Sequence, residues 1–388
     1  MLTHVKIRNF GCCADTDVLL GTPVVGLVGR NGAGKTTILQ AIEWLALSGT
    51  ASESKRPGAS LDAPRRVAAS FDICGHQYSF SAVGRYLKSK GTGFDVVQGE
   101  ERLTKESEDS PKLVFYRRGE EVHTPLRDEP ILIGAEAPSL GALASLLPSP
   151  DPLLQVIAPV RDYLGRIRYY TLAEPEGQSD IIKLSDYQEW ARSFEAGDSA
   201  ADFVAYRILY MHEQDNESFR ELCDLVGPSG LGLIDGIDIV FYPQGDVEKR
   251  QFCMPWFRPG ANLGGHGMSV PYSALSAGTK RILRLLVHLL FDRGSVMLLE
   301  QPEDCVHPGL LYKLLDILRA YSDQCQVIFS THSLEVLSTL RPEEVRLVEA
   351  RNGSTTCRGL SRQELQAAAQ FLASDGSLGE FVESLDAG

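Results

Sequence analysis

Residues 29–36 form the stretch whose spacing points most directly to chemistry. They read GRNGAGKT and fill every fixed position of the pattern G-x-x-x-x-G-K-[ST], directly after the mostly apolar stretch 24–28. Glycines let backbone N–H groups approach phosphate oxygens, and a helix that begins near Lys35 turns the positive end of its dipole on the same anion. A strand, this loop and a helix in succession favour a phosphate-binding loop over a chance glycine-rich turn.

The side chains of this loop predict a nucleoside triphosphate that binds together with a metal ion. In the pattern, Lys35 reaches the β- and γ-phosphates, and the Thr36 hydroxyl ligates Mg²⁺. The residues predicted to contact the nucleotide are Arg30, Asn31, Gly32, Ala33, Gly34, Lys35, Thr36 and Thr37.

The stretch LSAGT opens a second candidate element, an amphipathic helix. Ser276 is a natural N-cap, and a helix N-terminus that carries this hydroxyl and Gly278 is also an anion site. Spacings of three and four residues place Arg281, Arg284 and His288 on one polar face of the helix, opposite an apolar face rich in leucine.

Two later strands are predicted to complete a nucleotide site. Residues 295–300 form a buried strand that ends in Glu300, where nucleotide-binding folds place the carboxylate that holds Mg²⁺. Residues 326–330 form another buried strand, which His332 closely follows. A strand, a helix and a strand with polar residues at the strand ends predict an α/β fold of the doubly wound type.

Four motifs in this order carry a family resemblance: GRNGAGKTT, LSAGT, LLEQPEDCVHPG and FSTHS. They resemble the Walker A, signature, Walker B with D-loop, and H-loop of ABC-class ATPases, and most closely the soluble RecF-, SMC- and OLD-like AAA family ATPases of DNA repair and bacterial antiphage defence. The resemblance covers about residues 1–48 and 268–350. It implies an α/β ABC-ATPase P-loop head with a mixed sheet and an inserted helical lobe.

The resemblance assigns roles at the matching positions. Lys35 and Thr36 hold the phosphates of ATP and Mg²⁺, and Glu300 supports the same Mg²⁺. His332 contacts the γ-phosphate and the attacking water. The family usually has a glutamate that polarises this water where the present chain has Gln301, which is therefore the third residue expected at the catalytic centre.

The resemblance also implies a second copy of the chain. Ser276 and Gly278 act on the nucleotide of the other protomer, so two chains pair head to tail around two ATP molecules, with His307 of the D-loop at the interface. A larger assembly remains open.

Three positions depart from the family pattern. Gln301 cannot accept a proton, and loss of a general base typically lowers the rate by about 10²- to 10⁴-fold. Two interpretations stay open: a natural ATP sensor with a degenerate site, and a Glu→Gln substitution made to trap ATP in the dimer, which the otherwise intact motifs favour. Glu300 replaces the commoner Asp, and NFGCC stands where relatives carry a basic residue.

The chain is predicted to have four parts. The N-terminal half of the head is assigned to residues 1–147, and a helical lobe with a β-hairpin to residues 148–265. The C-terminal half of the head is assigned to residues 266–350, and an extension to residues 351–388.

Two stretches give more local predictions. The charged stretch 91–110 predicts a mobile surface loop, and apolar spacing of three and four residues predicts helices over 151–226. Within the latter, Arg161, Arg166 and Arg168 form either a basic strip for DNA or, as base rates favour, a solvated helix face.

Composition narrows the class of protein. No apolar run approaches the ~18 residues of a membrane span, and the N-terminus MLTHVKIRNF lacks the features of a secretion signal, so we expect a cytoplasmic protein without a membrane partner. The net charge of -13 argues against a wholly nucleic-acid-binding surface. Eight cysteines without a C-x-x-C pair make a zinc site or a disulfide framework improbable.

These observations predict an ATPase that couples ATP-dependent dimerisation to a partner effector, such as a nuclease, in phage defence. No acidic cluster of the kind a metal-dependent nuclease needs follows His332, so the effector is expected on another polypeptide. The main alternative is a RecF-like clamp that closes around DNA for repair. A nucleotide-binding subunit of a transporter is disfavoured by the helical lobe.

Overall fold

The structure is a computed structural model that divides the chain into two compact units. The first unit comprises Met1–Tyr170, Gly294–Pro302 and Leu318–Gly388, and the second comprises Thr171–Arg293 and Glu303–Ile317. The residues that the structure describes are 1–50, 64–88, 94–107, 110–134, 137–170, 179–195, 203–243, 250–260, 268–374 and 376–386.

The helices and strands are numbered in chain order. The strands are β1 (Leu2–Phe10), β2 (Cys13–Leu19), β3 (Val24–Val28), β4 (Arg65–Ile73), β5 (His76–Lys88), β6 (Phe94–Lys105), β7 (Lys112–Arg118), β8 (Glu121–His123), β9 (Ile131–Leu132), β10 (Ile167–Tyr170), β11 (Ile182–Lys183), β12 (Ile234–Pro243), β13 (Arg250–Pro259), β14 (Val270–Pro271), β15 (Val296–Glu300), β16 (Gln326–Thr331), β17 (Val345–Arg351) and β18 (Ser354–Gly359). The helices are α1 (Lys35–Thr50), α2 (Ser139–Leu146), α3 (Pro152–Gly165), α4 (Leu184–Glu195), α5 (Val204–Gln214), α6 (Asn216–Val226), α7 (Ala277–Asp292), α8 (Pro308–Ala320), α9 (Leu334–Leu337), α10 (Arg362–Ala373) and α11 (Leu378–Asp386).

A mixed sheet in the first unit carries the strands that end at the predicted site. Its order is β10-β15-β16-β3-β17-β18, in which only the β17–β18 pair is antiparallel. Every residue of β3 and of β16 is buried, which explains why apolar residues follow one another without alternation over Val24–Val28 and over 327–329. Because these strands are parallel, their carboxyl ends lie at one edge of the sheet, where β3 leads into the loop before α1.

The second sheet of this unit is antiparallel throughout, in the order β2-β1-β4-β5-β6-β7-β8-β9. The predicted mobile loop at 91–110 is wrong over Phe94–Lys105, because β6 occupies these residues and pairs with both β5 and β7. Residues 91–93, 108 and 109 lie outside the described residues. The charges of β6 misled the prediction: Glu101 is inward and pairs with buried Arg117 at 3.1 Å. Burial raises the pKa of Glu101 to about 7.

Helix α1 belongs to the hydrophobic core that both sheets of the first unit share. Ile38, Ile42 and Leu45 of α1 lie in one buried cluster with Phe80 of the antiparallel sheet and Leu298 of the mixed sheet. Fully burying such a side chain contributes about 1.5–3 kcal/mol, so this core holds the helix that follows the phosphate loop.

The second unit combines a small antiparallel sheet with helices. Strands β11, β13 and β12 lie side by side and β14 pairs with β13, while α7 packs against α5 and α6. Trp190 stacks on Phe194 with ring centroids 5.6 Å apart, and Phe291 of α7 joins the same aromatic cluster.

Two members of the predicted polar face of α7, Arg284 and His288, are buried. Arg284 is 6% exposed and His288 is 1% exposed. Arg284 donates from Nε to Nε2 of His288 at 3.4 Å, and His288 Nδ1 lies 3.0 Å from a carboxylate oxygen of Asp292. Arg207 on α5 reaches the same carboxylate at 3.4 Å. The polar residues of α7 therefore pair with one another inside the unit instead of facing solvent.

The compact units differ from the predicted parts at several boundaries. The first unit continues past residue 148 to Tyr170, because α3 contributes to its core and β10 pairs in parallel with β15. The helical prediction over 151–226 is thus wrong at β10, which has four residues and is too short to show a strand period. Helix α7 belongs to the second unit, and β18 lies in the mixed sheet, inside the stretch predicted as an extension.

All eight cysteines are free thiols. No helix among the described residues is both long enough and apolar enough to cross a membrane. In the same described ranges, no group of three or more His, Cys, Asp and Glu residues forms a metal-binding cluster.

Candidate nucleotide-binding site

The loop between β3 and α1 has the backbone that its glycines predict. Gly34 has φ +104°, and a Cβ at this position would lie 2.1 Å from Oγ1 of Thr355 on β18. Thr355 also donates a hydrogen bond to the carbonyl of Ala33 at 2.9 Å. Only glycine fits here, because of both the backbone angle and the contact with β18.

Lys35 lies inside the loop rather than on its surface. Its ammonium donates hydrogen bonds to the carbonyl oxygens of Gly29 at 2.6 Å and of Arg30 at 3.0 Å, and the residue is 6% exposed. A buried ammonium at the N-terminal end of a helix gives the loop the positive charge that an anionic ligand requires.

The structure brings together the two predicted metal ligands, Thr36 and Glu300, although 264 residues separate them. Thr36 Oγ1 lies 2.5 Å from Oε1 of Glu300. A hydroxyl oxygen and a carboxylate oxygen are the hard donors that Mg²⁺ prefers, so the residues present fit this ion.

Tyr169 is a residue of this site that the sequence did not single out. Its hydroxyl donates to Oε2 of Glu300 at 2.7 Å. Burial raises the pKa of Tyr169 above its usual range, and the bond to Glu300 and the charge of nearby Glu43 raise it further, so the hydroxyl stays protonated. Tyr169 was missed because the spacing around it predicted a helix, whereas it lies on the edge strand β10 beside β15.

Gln301 and His332 meet at the ends of neighbouring strands. The amide nitrogen of Gln301 lies 3.1 Å from Nδ1 of His332, and the Gln301 backbone N–H donates to the carbonyl of Ser330 at 3.1 Å. Gln301 has φ +45°, a left-handed backbone that is uncommon for a residue other than glycine. The tight turn after β15 thus aims the side chain of Gln301 at His332.

A cavity of about 180 Å³ joins the loop to the strand ends. Its lining residues are Cys12, Asn31, Gly32, Gly34, Lys35, Thr36, Thr37, Gln301 and Ser330. Two further cavities, of about 430 and 580 Å³, both border Arg30 and Asn31, and His332 lines the larger one.

Cys12 lies in the turn between β1 and β2, where the family resemblance led us to expect a basic residue that contacts phosphate. Its thiol bonds to Thr37 at 3.2 Å and to Thr355 at 3.1 Å. The turn is therefore close enough to contact a ligand in the cavity, but it contributes a neutral thiol.

The signature residues lie in the second unit. Ser276 is exposed and caps α7 by accepting a hydrogen bond from the N–H of Thr279 at 3.2 Å. A Cβ at Gly278 would lie 2.4 Å from the carbonyl of Cys305, so the D-loop requires glycine at this point. The exposed His307 accepts a hydrogen bond from the N–H of Gly309 at 3.1 Å. Lys35, Thr36, Glu300, Gln301 and His332 all belong to the first unit.

Two sequence families match the chain. One, described as "AAA domain, putative AbiEii toxin, Type IV TA system", matches residues 100–338, and another, described as "AAA domain", matches residues 4–122.

Two curated relatives are similar in sequence. The OLD nuclease of Thermus scotoductus is 25% identical over 368 residues, which are 90% of this chain and 62% of the nuclease, so the chain spans about three fifths of that relative. The DNA replication and repair protein RecF of Frankia alni is 47% identical over 45 residues, which are 12% of each chain.

A solved structure shares the fold. The crystal structure of an Smc head bound to the C-winged helix domain of ScpA matches with a TM-score of 0.50 at 12% identity, and the match covers 94% of this chain and 99% of that one. This likeness confirms the predicted α/β head with a mixed sheet.

Proposed function

We propose that this chain, which belongs to the AAA-domain family whose match spans residues 100–338, binds ATP with Mg²⁺ and hydrolyses it slowly. Its relatives and its fold make it an ABC-class ATPase of the RecF, SMC and OLD type. The contact between Thr36 and Glu300 at 2.5 Å carries the proposal, because it places two oxygen donors beside a phosphate loop.

Each residue of the site has a defined task in this proposal. The loop N–H groups and Lys35 bind the phosphates, while Thr36 and Glu300 hold the metal. Mg²⁺ would neutralise the charge that develops on the phosphate oxygens during hydrolysis. His332 orients the attacking water, and Gln301 holds His332 in position without accepting a proton.

The exposed start of α7 supports the proposal that two copies pair around ATP. Ser276 and Gly278 lie at the N-terminus of α7, where Ser276 is exposed to solvent. A helix N-terminus attracts anions. We therefore propose that each copy completes the ATP site of the other, with His307 at the interface. Bound nucleotide stabilises the pair because it interacts with both copies.

The proposed output of this switch is control of an effector protein in cytoplasmic antiphage defence. One relative is named a nuclease, and one matching family description names a toxin system. A nuclease on a second polypeptide is accordingly the partner that we propose.

A DNA clamp is the second candidate function. Arg166 and Arg168 are exposed on the first unit. One relative that matches over 45 residues is named a DNA replication and repair protein. Arg161 contributes less free charge, since it pairs with Asp162 at 2.8 Å. Binding of duplex DNA that requires ATP and is lost in an Arg166→Glu, Arg168→Glu variant would favour the clamp.

Binding of a fluorescent ATP analogue tests the proposed nucleotide site. We expect saturable binding that Mg²⁺ strengthens, and a loss of roughly 10- to 100-fold in affinity in Lys35→Ala, because charge-assisted hydrogen bonds to phosphate disappear. Lys6→Ala is the matched control, since Lys6 lies on β1 and pairs with the exposed Asp17 of β2. Equal affinities in the two variants would show that the loop does not bind the nucleotide.

A further inference from the structure

Tyr169 and Glu300 lie on the same face of two parallel strands. Tyr169 is the register partner of Leu298, and Glu300 follows Leu298 by two residues, so the side chains of Tyr169 and Glu300 project from the same side of the sheet. The hydroxyl of Tyr169 spans this offset and donates to Oε2 of Glu300 at 2.7 Å.

The two oxygens of Glu300 have different partners. Oε1 lies 2.5 Å from the hydroxyl of Thr36, and Oε2 accepts the hydrogen bond from Tyr169. Two donors from two different elements, α1 and β10, therefore fix the plane of this carboxylate. A carboxylate that is free to rotate would present either oxygen to Thr36.

Because the Glu300 side chain is long, hydrogen bonds that hold its carboxylate in one orientation matter more than they would for a shorter side chain. Glutamate has one more rotatable bond than the aspartate common at this position in the family, so it loses more conformational entropy when it is held in one orientation. The Tyr169 hydroxyl is a rigidly mounted donor, since its ring lies on a strand that is hydrogen-bonded to β15.

We infer that Tyr169 is a positioning residue that holds Glu300 with Oε1 directed at Thr36, the oxygen pair that would bind Mg²⁺. The inference rests on the proposed function, because this orientation matters only if Mg²⁺ and ATP bind at the loop. Tyr169 is not among the residues that line the cavity beside the phosphate loop, so it is placed to act through Glu300. Hydrogen-bond partners of metal ligands typically change metal affinity by about 10- to 100-fold when they are removed.

The test is the Tyr169→Phe variant, which removes the hydroxyl and keeps the ring. Binding of a fluorescent ATP analogue is measured while Mg²⁺ is titrated, and again with the metal chelated. We expect the Mg²⁺ concentration for half-maximal enhancement to rise by about 10-fold or more. Affinity without metal and the thermal unfolding midpoint should stay at the values of the unaltered chain.

Tyr170→Phe is the matched control. Tyr170 is the next residue of β10 and projects from the opposite face of the sheet, so loss of its hydroxyl should leave the Mg²⁺ titration unchanged.

A second variant distinguishes an effect through Glu300 from a general loss of stability. Glu300→Asp shortens the side chain by one methylene, so we expect its carboxylate to withdraw from the Tyr169 hydroxyl, which lies 2.7 Å from Oε2 in the unaltered chain. In that background Tyr169→Phe should shift the Mg²⁺ titration by less than twofold. A shift as large as in the Glu300 chain would show that Tyr169 acts by another route and would overturn the inference.

The outcomes separate the inference from the proposed function. If the unaltered chain shows no Mg²⁺-dependent binding of the nucleotide, the proposed function fails and the inference fails with it. If the unaltered chain does show it and Tyr169→Phe has the same titration, only the inference fails. Loss of metal-free binding together with a lower unfolding midpoint would assign Tyr169 a structural role only, and would also overturn the inference.

Discussion

The side-chain amide of Gln301 donates a hydrogen bond to Nδ1 of His332 over 3.1 Å. An amide donor requires a lone pair on Nδ1, so a neutral His332 carries its proton on Nε2. A glutamate at position 301 would instead accept a hydrogen bond from a protonated Nδ1. Residue 301 therefore decides both whether a proton acceptor is present and which nitrogen of His332 can donate a hydrogen bond.

Gln301→Glu should raise steady-state ATP hydrolysis by about two orders of magnitude or more, because it restores a general base beside His332. It should also shorten the lifetime of the ATP-bound dimer. Phosphate release measures the first effect and size analysis after ATP removal measures the second. Gln301→Ala, which adds no base, serves as the control and should stay slow. An ordinary hydrolysis rate in the present chain would mean that another group activates the water.

Ser276→Arg should prevent the shift to a dimer that ATP and Mg²⁺ induce, since a bulky cation replaces the hydroxyl at the exposed start of α7. Affinity for ATP at the loop should change by less than twofold. Sedimentation velocity with and without nucleotide gives the result. Gln188→Arg adds the same charge at an exposed position of α4 in the same unit and should still dimerise. Dimerisation by both variants would contradict the shared site.

The purified chain alone should not cleave DNA or RNA. We expect intact plasmid and RNA after incubation with Mg²⁺ or Mn²⁺ and ATP, and nuclease activity only when a partner co-purified from the native host is added. Gel electrophoresis of the nucleic acids is sufficient. Robust cleavage by this chain, abolished by a chelator and retained after further purification, would place the effector in the chain itself.

Asp292→Ala should lower the free energy of unfolding by about 3–5 kcal/mol, because it leaves buried charge without its carboxylate partner. Asp292 is 8% exposed at its side chain and pairs with Arg207 and His288. Asp162→Ala removes an exposed pair with Arg161 and should cost about 0–1 kcal/mol. Denaturant titration compares the two variants, and equal losses would show that the buried network does not stabilise the second unit.

The sequence was sufficient for the parts of the site that local spacing encodes. Lys35 and Thr36 follow from eight consecutive residues, and Glu300 from its place at the end of an apolar strand. Tyr169 depends on the register between β10 and β15, which no local pattern contains. The spacing placed Arg284 on a polar face but did not show that it is buried, since helical periodicity does not reveal which elements cover such a face.

The contact between Gly34 and Thr355 also has a consequence for the order in which the chain is made. Thr355 donates to the carbonyl of Ala33, and its own N–H donates to the carbonyl of Cys12. A ribosome synthesises Cys12 and Ala33 long before Thr355. The phosphate loop therefore leaves the ribosome before the strand that contacts it, and these contacts form only after the chain has been synthesised to β18.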